Sequence, residues 1–295
     1  MSLFDLLVDS ALQGQPGLAS LRPVVEKELL HQDILRELGE AGLLQRLTFI
    51  GGTCLRLCYG SQRLSEDLDF TGGSDFDRET LGDLSNVLIT RLQQKYGLQV
   101  SVDPPIRESG NVDTWRVKLQ TRPDRRDLPA QRINIDICAV PSYQVQPMML
   151  RNHYGVDMGA SGLIINAQSR AEILADKLVA FALRPNRIKN RDLWDIVWLH
   201  QQGTELPLAL IPLKLHDHHC APADYSALLQ ERQASLAADP AIHAAFKQEM
   251  RRFVAVGGDQ NMGSGSPANI VETENYWQFL CYLMGGHARR ITEAL

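Results

Sequence analysis

Asp67 and Asp69 stand two residues apart in Arg63-Leu64-Ser65-Glu66-Asp67-Leu68-Asp69-Phe70. On an extended strand that spacing points both carboxylates to one face, while Leu68 and Phe70 take the other. Two adjacent carboxylates repel unless a cation lies between them. Mg²⁺ (or Mn²⁺), which takes carboxylate oxygens together with substrate phosphates, suits the arrangement. A third acid fits the same chemistry. In Arg132-Ile133-Asn134-Ile135-Asp136-Ile137-Cys138 the isoleucines define one face, and Asn134, Asp136 and Cys138 the other. If this strand lies beside the first, Asp67, Asp69 and Asp136 converge. Such a triad can hold metal against an attacking oxygen and a triphosphate. Upstream, Phe49-Ile50 runs into Gly51-Gly52-Thr53. Two glycines between a strand and a helix let the backbone approach a ligand, and the helix start offers N–H groups to a phosphate.

Taken singly, each of these features is ordinary: a glycine turn, a polar strand edge, an acidic edge residue. Their order is informative. A strand, Gly-Gly-Thr, a helix, a D-x-D strand a dozen residues on and a later acidic strand together describe a nucleotide and metal site. Other clusters carry less. His216-Asp217-His218-His219-Cys220 lacks a second ligand pair at zinc spacing and reads as a surface loop. Arg122, Arg125, Arg126 and Arg132 read as a solvated hairpin or an RNA contact. No Gly-Lys-Ser/Thr, G-x-S-x-G or H-E-x-x-H is present, so P-loop, serine-hydrolase and zincin chemistries lack support.

The elements that must position these residues follow from apolar spacing. An apolar helix and a turn fill the first 22 residues or so, and Pro23 opens a helix to about Leu38. Thr53 to Tyr59 reads as a helix, Leu64–Phe70 as a strand and Asp77–Tyr96 as a helix. Strands follow at Leu98–Val102, Thr114–Leu119 and Arg132–Val140, with Thr121–Gln131 as a hairpin loop. Residues 142–162 read as irregular, and Leu163–Ile165 as a short edge strand. Ser169 and Glu172 then form a capping box. Helices are expected from there to about Ala182, from Lys189 or Arg191 to Gln201, and at 224–236, 240–253 and 273–293, with Gly257–Pro267 as a loop. The expected fold is α/β (α+β): a mixed sheet of about five strands in residues 1–165, then a helical domain in 166–295, with the active cleft between them.

Bulk properties agree with a globular enzyme. The 295 residues are 44% hydrophobic and 22% charged, with a net charge of −5, which excludes a strongly basic nucleic-acid coat but not a local basic groove. No apolar run is long enough to span a membrane, the first residues lack a basic signal-peptide start, and the five cysteines show no C-x-x-C. The expectation is a cytoplasmic chain, monomeric, with reduced thiols and no membrane partner.

The residues G-G-T-x-L-R-L-x-Y-G (51–60) and R-x-S-E-D-L-D-F (63–70) resemble the AbiEii/AbiGii-type nucleotidyltransferase toxin family of the polymerase-beta-like superfamily. Lys177 in Ala171–Leu178 resembles that family's helical lysine. Arg187-Ile188-Lys189-Asn190-Arg191-Asp192-Leu193-Trp194-Asp195 resembles its basic–acidic helical motif. The resemblance covers residues 24–200. It implies a polymerase-beta-like core that moves a nucleoside monophosphate from an NTP to an acceptor hydroxyl. It further implies an RNA acceptor such as a tRNA 3′ end, and a role as the toxin of a toxin–antitoxin pair with a cognate antitoxin.

In that reading Gly51, Gly52 and Thr53, with Arg56 and Ser65, meet the nucleotide. Asp67, Asp69 and Asp136 hold metal, and Asp136 helps deprotonate the acceptor. Lys177 and the bases Arg187, Lys189 and Arg191 meet phosphate, which of the three being open, and Asp195 orients them. Asp192 reads as a structural partner of these bases. Replacing Lys177 by Ala is expected to weaken NTP binding with the fold intact. Two other readings stand beside this one: a non-catalytic NTP- or RNA-binding module, and a small-molecule nucleotidyltransferase of the antibiotic-modifying kind.

Overall fold

The computed structural model describes residues 2–106, 110–123, 129–185, 187–255, 271 and 273–295. Residues 124–128 of the expected hairpin loop, Arg125 and Arg126 among them, and the Gly257–Pro267 loop lie outside them. The chain divides into two compact units, Met1–Gln168 and Ser169–Leu295.

In the first unit, α1 (Leu3–Gln13) starts at a Ser2 capping box and buries Phe4, Val8 and Ala11. A 3₁₀ turn over Pro16–Leu21 leads to α2 (Arg22–Glu40), with Pro23 in its first turn, where a missing N–H costs nothing. Besides its leucines, α2 buries Glu26, Glu28, His31, Gln32, Asp33 and Glu37. Buried polar groups need partners, and Asp33 finds Lys95 Nζ at 2.5 Å and the Tyr96 hydroxyl.

The sheet has seven strands in the order β3-β4-β5-β2-β1-β7-β6. They are β1 (Thr48–Ile50), β2 (Leu68–Thr71), β3 (Val100–Asp103), β4 (Val112–Leu119), β5 (Gln131–Cys138), β6 (Val145–Met149) and β7 (Ile164–Gln168). Pairs β2/β5 and β1/β7 are parallel; the other neighbours are antiparallel. The alternation of β5 is as its sequence implies, with Ile133, Ile135 and Ile137 buried and Asn134, Asp136 and Cys138 half-buried.

Several expectations need correction. The sheet has seven strands, not about five. β6 lies in the stretch expected to be irregular, because Pro147 weakens its strand signal; β6 is an edge, where proline is tolerated. β7, expected as an edge strand, lies between β1 and β6. The helix expected over Asp77–Tyr96 is a 3₁₀ turn (Arg78–Leu81) and then α4 (Leu84–Tyr96), broken at Gly82-Asp83. Helix α3 (Gly51–Tyr59) starts two residues earlier than Thr53.

The second unit is helical: α5 (Arg170–Leu183), α6 (Asn190–Gln201), α7 (Ile211–Asp217), α8 (Pro222–Ala238), α9 (Pro240–Met250) and α10 (Glu274–Ala294). The Ser169 hydroxyl accepts from the N–H of Glu172, whose carboxylate takes a 2.6 Å bond from the buried Lys214. The His216–Cys220 run, expected as a loop, straddles the end of α7 and a turn in which His219 has φ +53°.

On α10, His287 is buried, and its Nε2 has no hydrogen-bond partner among the described residues. Burial, then His200 and Arg290 nearby, pushes its pKa down to about 4. The unfolded chain, with an imidazole near 6.5, therefore takes up the proton first as pH falls. The stability held by neutral His287 is complete above about pH 6.5 and is lost between there and about pH 4, by roughly 3 kcal/mol. Urea midpoints should fall between pH 7.5 and pH 5, and His287→Phe should flatten that slope. An equal slope in the variant would exclude His287 as its source.

Candidate active site

The acids meet as the strand pattern requires. Asp69 on β2 is the register partner of Asp136 on β5 and of Ile50 at the end of β1, while Asp136 pairs with Thr114 on β4. Thr114, Asp136, Asp69 and Ile50 thus form one row across four strands about 4.8 Å apart. Register partners point to the same face, so the two carboxylates stand side by side. Thr114 Oγ1 donates to Asp136 Oδ1 at 2.7 Å. Asp67, one residue before β2, accepts from the Asn134 N–H at 3.3 Å through Oδ1.

Gly51 completes this floor. Its φ is +76°, and a Cβ built on it would stand 2.7 Å from Asp69 Oδ2. The Asp69 carboxylate therefore lies against the backbone where α3 begins, and only glycine leaves it room. Gly51→Ala would both strain the backbone and displace the carboxylate. We expect a loss of turnover of at least about tenfold together with a lower melting point. A variant with parental kcat would show that Asp69 need not lie there.

Thr53 faces inward. Its hydroxyl donates to the Asp67 carbonyl and lies 2.6 Å from Ser65 Oγ. Arg56 is buried, its Nε 3.1 Å from Glu28 Oε2 and its Nη1 2.9 Å from the Ser61 carbonyl. Glu28 also accepts the Ser65 N–H at 2.8 Å and the Tyr154 hydroxyl at 2.5 Å. Burial and then the Glu28 charge push the Tyr154 phenol well up, so it stays a neutral donor. Thr53, Arg56 and Ser65, expected on the nucleotide, are thus engaged in a buried network beneath the acids. Such bonds explain why β2 begins at Leu68 and not Leu64: the carbonyls of Leu64, Glu66 and Asp67 and the N–H of Ser65 are taken by side chains.

In the second unit, Lys177 on α5 is buried between two acids of α6, with Nζ 2.8 Å from Asp192 Oδ1 and 2.7 Å from Asp195 Oδ2. Arg184 reaches Asp192 Oδ2 at 3.0 Å. Burial alone would raise the Asp192 carboxyl, but Lys177, Lys189 and Arg184 outweigh it and hold it below the usual range. Arg191 turns to α9: its Nε is 3.4 Å from Glu249 Oε1, and its guanidinium lies 4.8 Å from the Phe253 ring centre. Arg187 is exposed.

The structure therefore gathers Gly51, Asp67, Asp69 and Asp136 in the first unit, and Lys177, Asp192 and Asp195 in the second. Glu28, Tyr154 and Thr114 are absent from the sequence reading of the site. For Glu28 there is a signal: an acid flanked by the buried Val25 and Leu29 on a helix whose period is otherwise apolar.

Among the described residues, no group of three His, Cys, Asp or Glu side chains forms a ready-made metal cage. The donor set still suits a divalent ion. Half-buried carboxylate oxygens side by side, one pressed against a glycine, match Mg²⁺ or Mn²⁺, which take one or two carboxylates and complete their shell with substrate phosphates. No described helix is long and apolar enough to cross a membrane.

No curated protein matches the chain. Among solved structures, MenT4, a nucleotidyltransferase toxin from Mycobacterium tuberculosis H37Rv, is similar at a TM-score of 0.51 and 16% identity, over 99% of this chain and 97% of that one. JHP933 from Helicobacter pylori is similar at a TM-score of 0.48 and 16% identity, over 92% of each chain. The sequence model of the family described as "Nucleotidyl transferase AbiEii toxin, Type IV TA system" matches residues 33–268. That span takes in the glycine turn, the three acids and the Lys177 cluster, so the chain belongs to the AbiEii nucleotidyltransferase toxin family of type IV toxin–antitoxin systems.

Proposed function

We propose that this nucleotidyltransferase moves a nucleoside monophosphate from an NTP to a hydroxyl of an RNA, such as a tRNA 3′ end, and that a cognate antitoxin opposes it. The observation that carries the reading is the in-register pair Asp69–Asp136 with Gly51 against it. Asp67, Asp69 and Asp136 would hold a divalent ion, which when bound supplies positive charge to the triphosphate and the attacking oxygen.

The chain's own groups do the rest. Backbone N–H groups at the start of α3 meet phosphate oxygens. Asp136, held by Thr114, takes the proton of the acceptor hydroxyl. The acceptor oxygen bonds to the α-phosphorus, the bond to the β-phosphate oxygen breaks, and pyrophosphate leaves. Lys177, oriented by Asp195, offsets phosphate charge. Of the bases in the turn, the exposed Arg187 is better suited to phosphate than Arg191, which Glu249 and Phe253 engage. Thr53, Arg56 and Ser65 support the site from beneath.

Incubation with each α-labelled NTP, with and without total tRNA, tests this. The expected result is label on RNA with release of pyrophosphate. NTP binding without transfer would favour the binding module. Label on a small hydroxylated antibiotic alone would favour the third reading.

A further inference from the structure

Helix α2 presents Lys27, Glu28 and His31, spaced i, i+1 and i+4, to two consecutive residues, Ser65 and Glu66. Glu28 Oε1 accepts the Ser65 N–H at 2.8 Å. Lys27 Nζ donates to Glu66 Oε1 at 2.9 Å. His31 Nε2 lies 3.0 Å from the Glu66 carbonyl oxygen; a carbonyl only accepts, so Nε2 carries the proton. The next residue is Asp67. From Ser65 the connection continues sideways: Ser65 Oγ donates to Thr53 Oγ1, which donates to the Asp67 carbonyl. Both ends of the Ser65–Asp67 segment are thereby fixed, one by α2 and one by α3.

None of these α2 groups is placed to touch a substrate. Glu28 and His31 are fully buried, and Lys27 is engaged by Glu66. His31 is also costly. Its Nδ1 is buried without a partner among the described residues, and burial lowers its pKa, so it sits as a neutral ring with one bond made and one forgone. An apolar side chain would fill that site without leaving an orphan atom. The one bond it makes, to the carbonyl that precedes Asp67, is what the histidine adds. Lys27 likewise gives up solvent to hold Glu66, with the side chains 17% and 18% exposed.

We propose that Lys27, Glu28 and His31 of α2 are positioning residues, a clamp that sets the entry of β2 and so aims the Asp67 and Asp69 carboxylates. The inference rests on those carboxylates being the reacting acids. A shift of about 1 Å in such groups lowers turnover as much as a hundredfold without changing what binds. The clamp therefore governs kcat and leaves KM for NTP alone.

Two variants of the full chain test this, Lys27→Met and His31→Phe, with Lys27→Arg as the conservative control. The first readout is independent of activity: amide hydrogen exchange at Ser65 and at Asn134, whose N–H binds Asp67 Oδ1. Exchange at both should speed at least about tenfold in Lys27→Met and His31→Phe, while β4 and α4 keep parental protection. The second readout is transfer kinetics, where kcat should drop at least about tenfold at constant KM, with Lys27→Arg restoring both. If His31→Phe fails to fold, Lys27→Met, changed at a position that keeps some contact with solvent, decides alone. Parental exchange at Asn134 in folded variants would overturn the clamp. Faster exchange with parental kcat would overturn its catalytic meaning. A parent chain that transfers no nucleotide would count instead against the proposed reaction, and the exchange result would still judge the clamp.

Discussion

Asp69→Asn is expected to end the proposed transfer of label from α-labelled NTP to RNA, with kcat lower by on the order of a thousandfold. Asp69 stands between Ile50 and Asp136 in the row of strands and against Gly51. It is the acid that β1, β5 and the start of α3 all flank. Asparagine keeps the volume and one acceptor oxygen but removes the charge that would hold a divalent ion. The fold should survive, because the variant takes one of two adjacent like charges away. Melting within a few degrees of the parent, together with lost transfer and lost growth arrest on overexpression, is the expected set. Growth arrest that persists in Asp69→Asn, Asp67→Asn and Asp136→Asn alike would detach toxicity from nucleotidyl transfer.

The second large effect reverses an expectation drawn from sequence. Read along the chain, Lys177 is a base on an apolar helix, and its loss is expected to leave the fold intact. In the structure its ammonium lies between Asp192 and Asp195, and Asp195 has no exposed surface. Lys177→Met leaves two buried carboxylates short of a cation. Breaking such a pair from one side costs about 3–5 kcal/mol, a large share of the ~5–15 kcal/mol that holds a domain together. We expect a melting point lower by roughly ten degrees. The triple variant Lys177→Met, Asp192→Asn, Asp195→Asn removes all three charges and should recover most of that stability. If it also recovers transfer, the proposed contact of Lys177 with phosphate is wrong. Stability without transfer keeps it.

Periodicity was enough for the acids. Leu68 and Phe70 against Asp67 and Asp69, and three isoleucines against Asn134, Asp136 and Cys138, define faces without any tertiary knowledge. Two such strands in one parallel register need no further specification to bring Asp69 beside Asp136. The supporting layer was not legible, because it depends on which buried polar group meets which. Nothing local pairs Glu28 with Arg56, or turns Arg191 toward Glu249 and away from solvent; these partners are set by helix packing. Strand β6 was missed for a different reason. Its proline and exposed alternate positions are those of an edge, where the apolar signal is weakest.

The parallel pairing of β2 with β5 also has a consequence in time. Asp67 meets the Asn134 N–H across 67 residues of chain, and the antiparallel pair β3–β4 must form between them. Contacts of such long sequence separation form late, since the loop must close before any bond rewards it. On the ribosome, Gly51, Asp67 and Asp69 emerge before their partner strand exists. A nascent or truncated chain that stops short of Asp136 carries the glycine turn and the D-x-D pair yet has no third acid beside them. The proposed chemistry is thus withheld, by connectivity alone, from every copy that ends before Asp136.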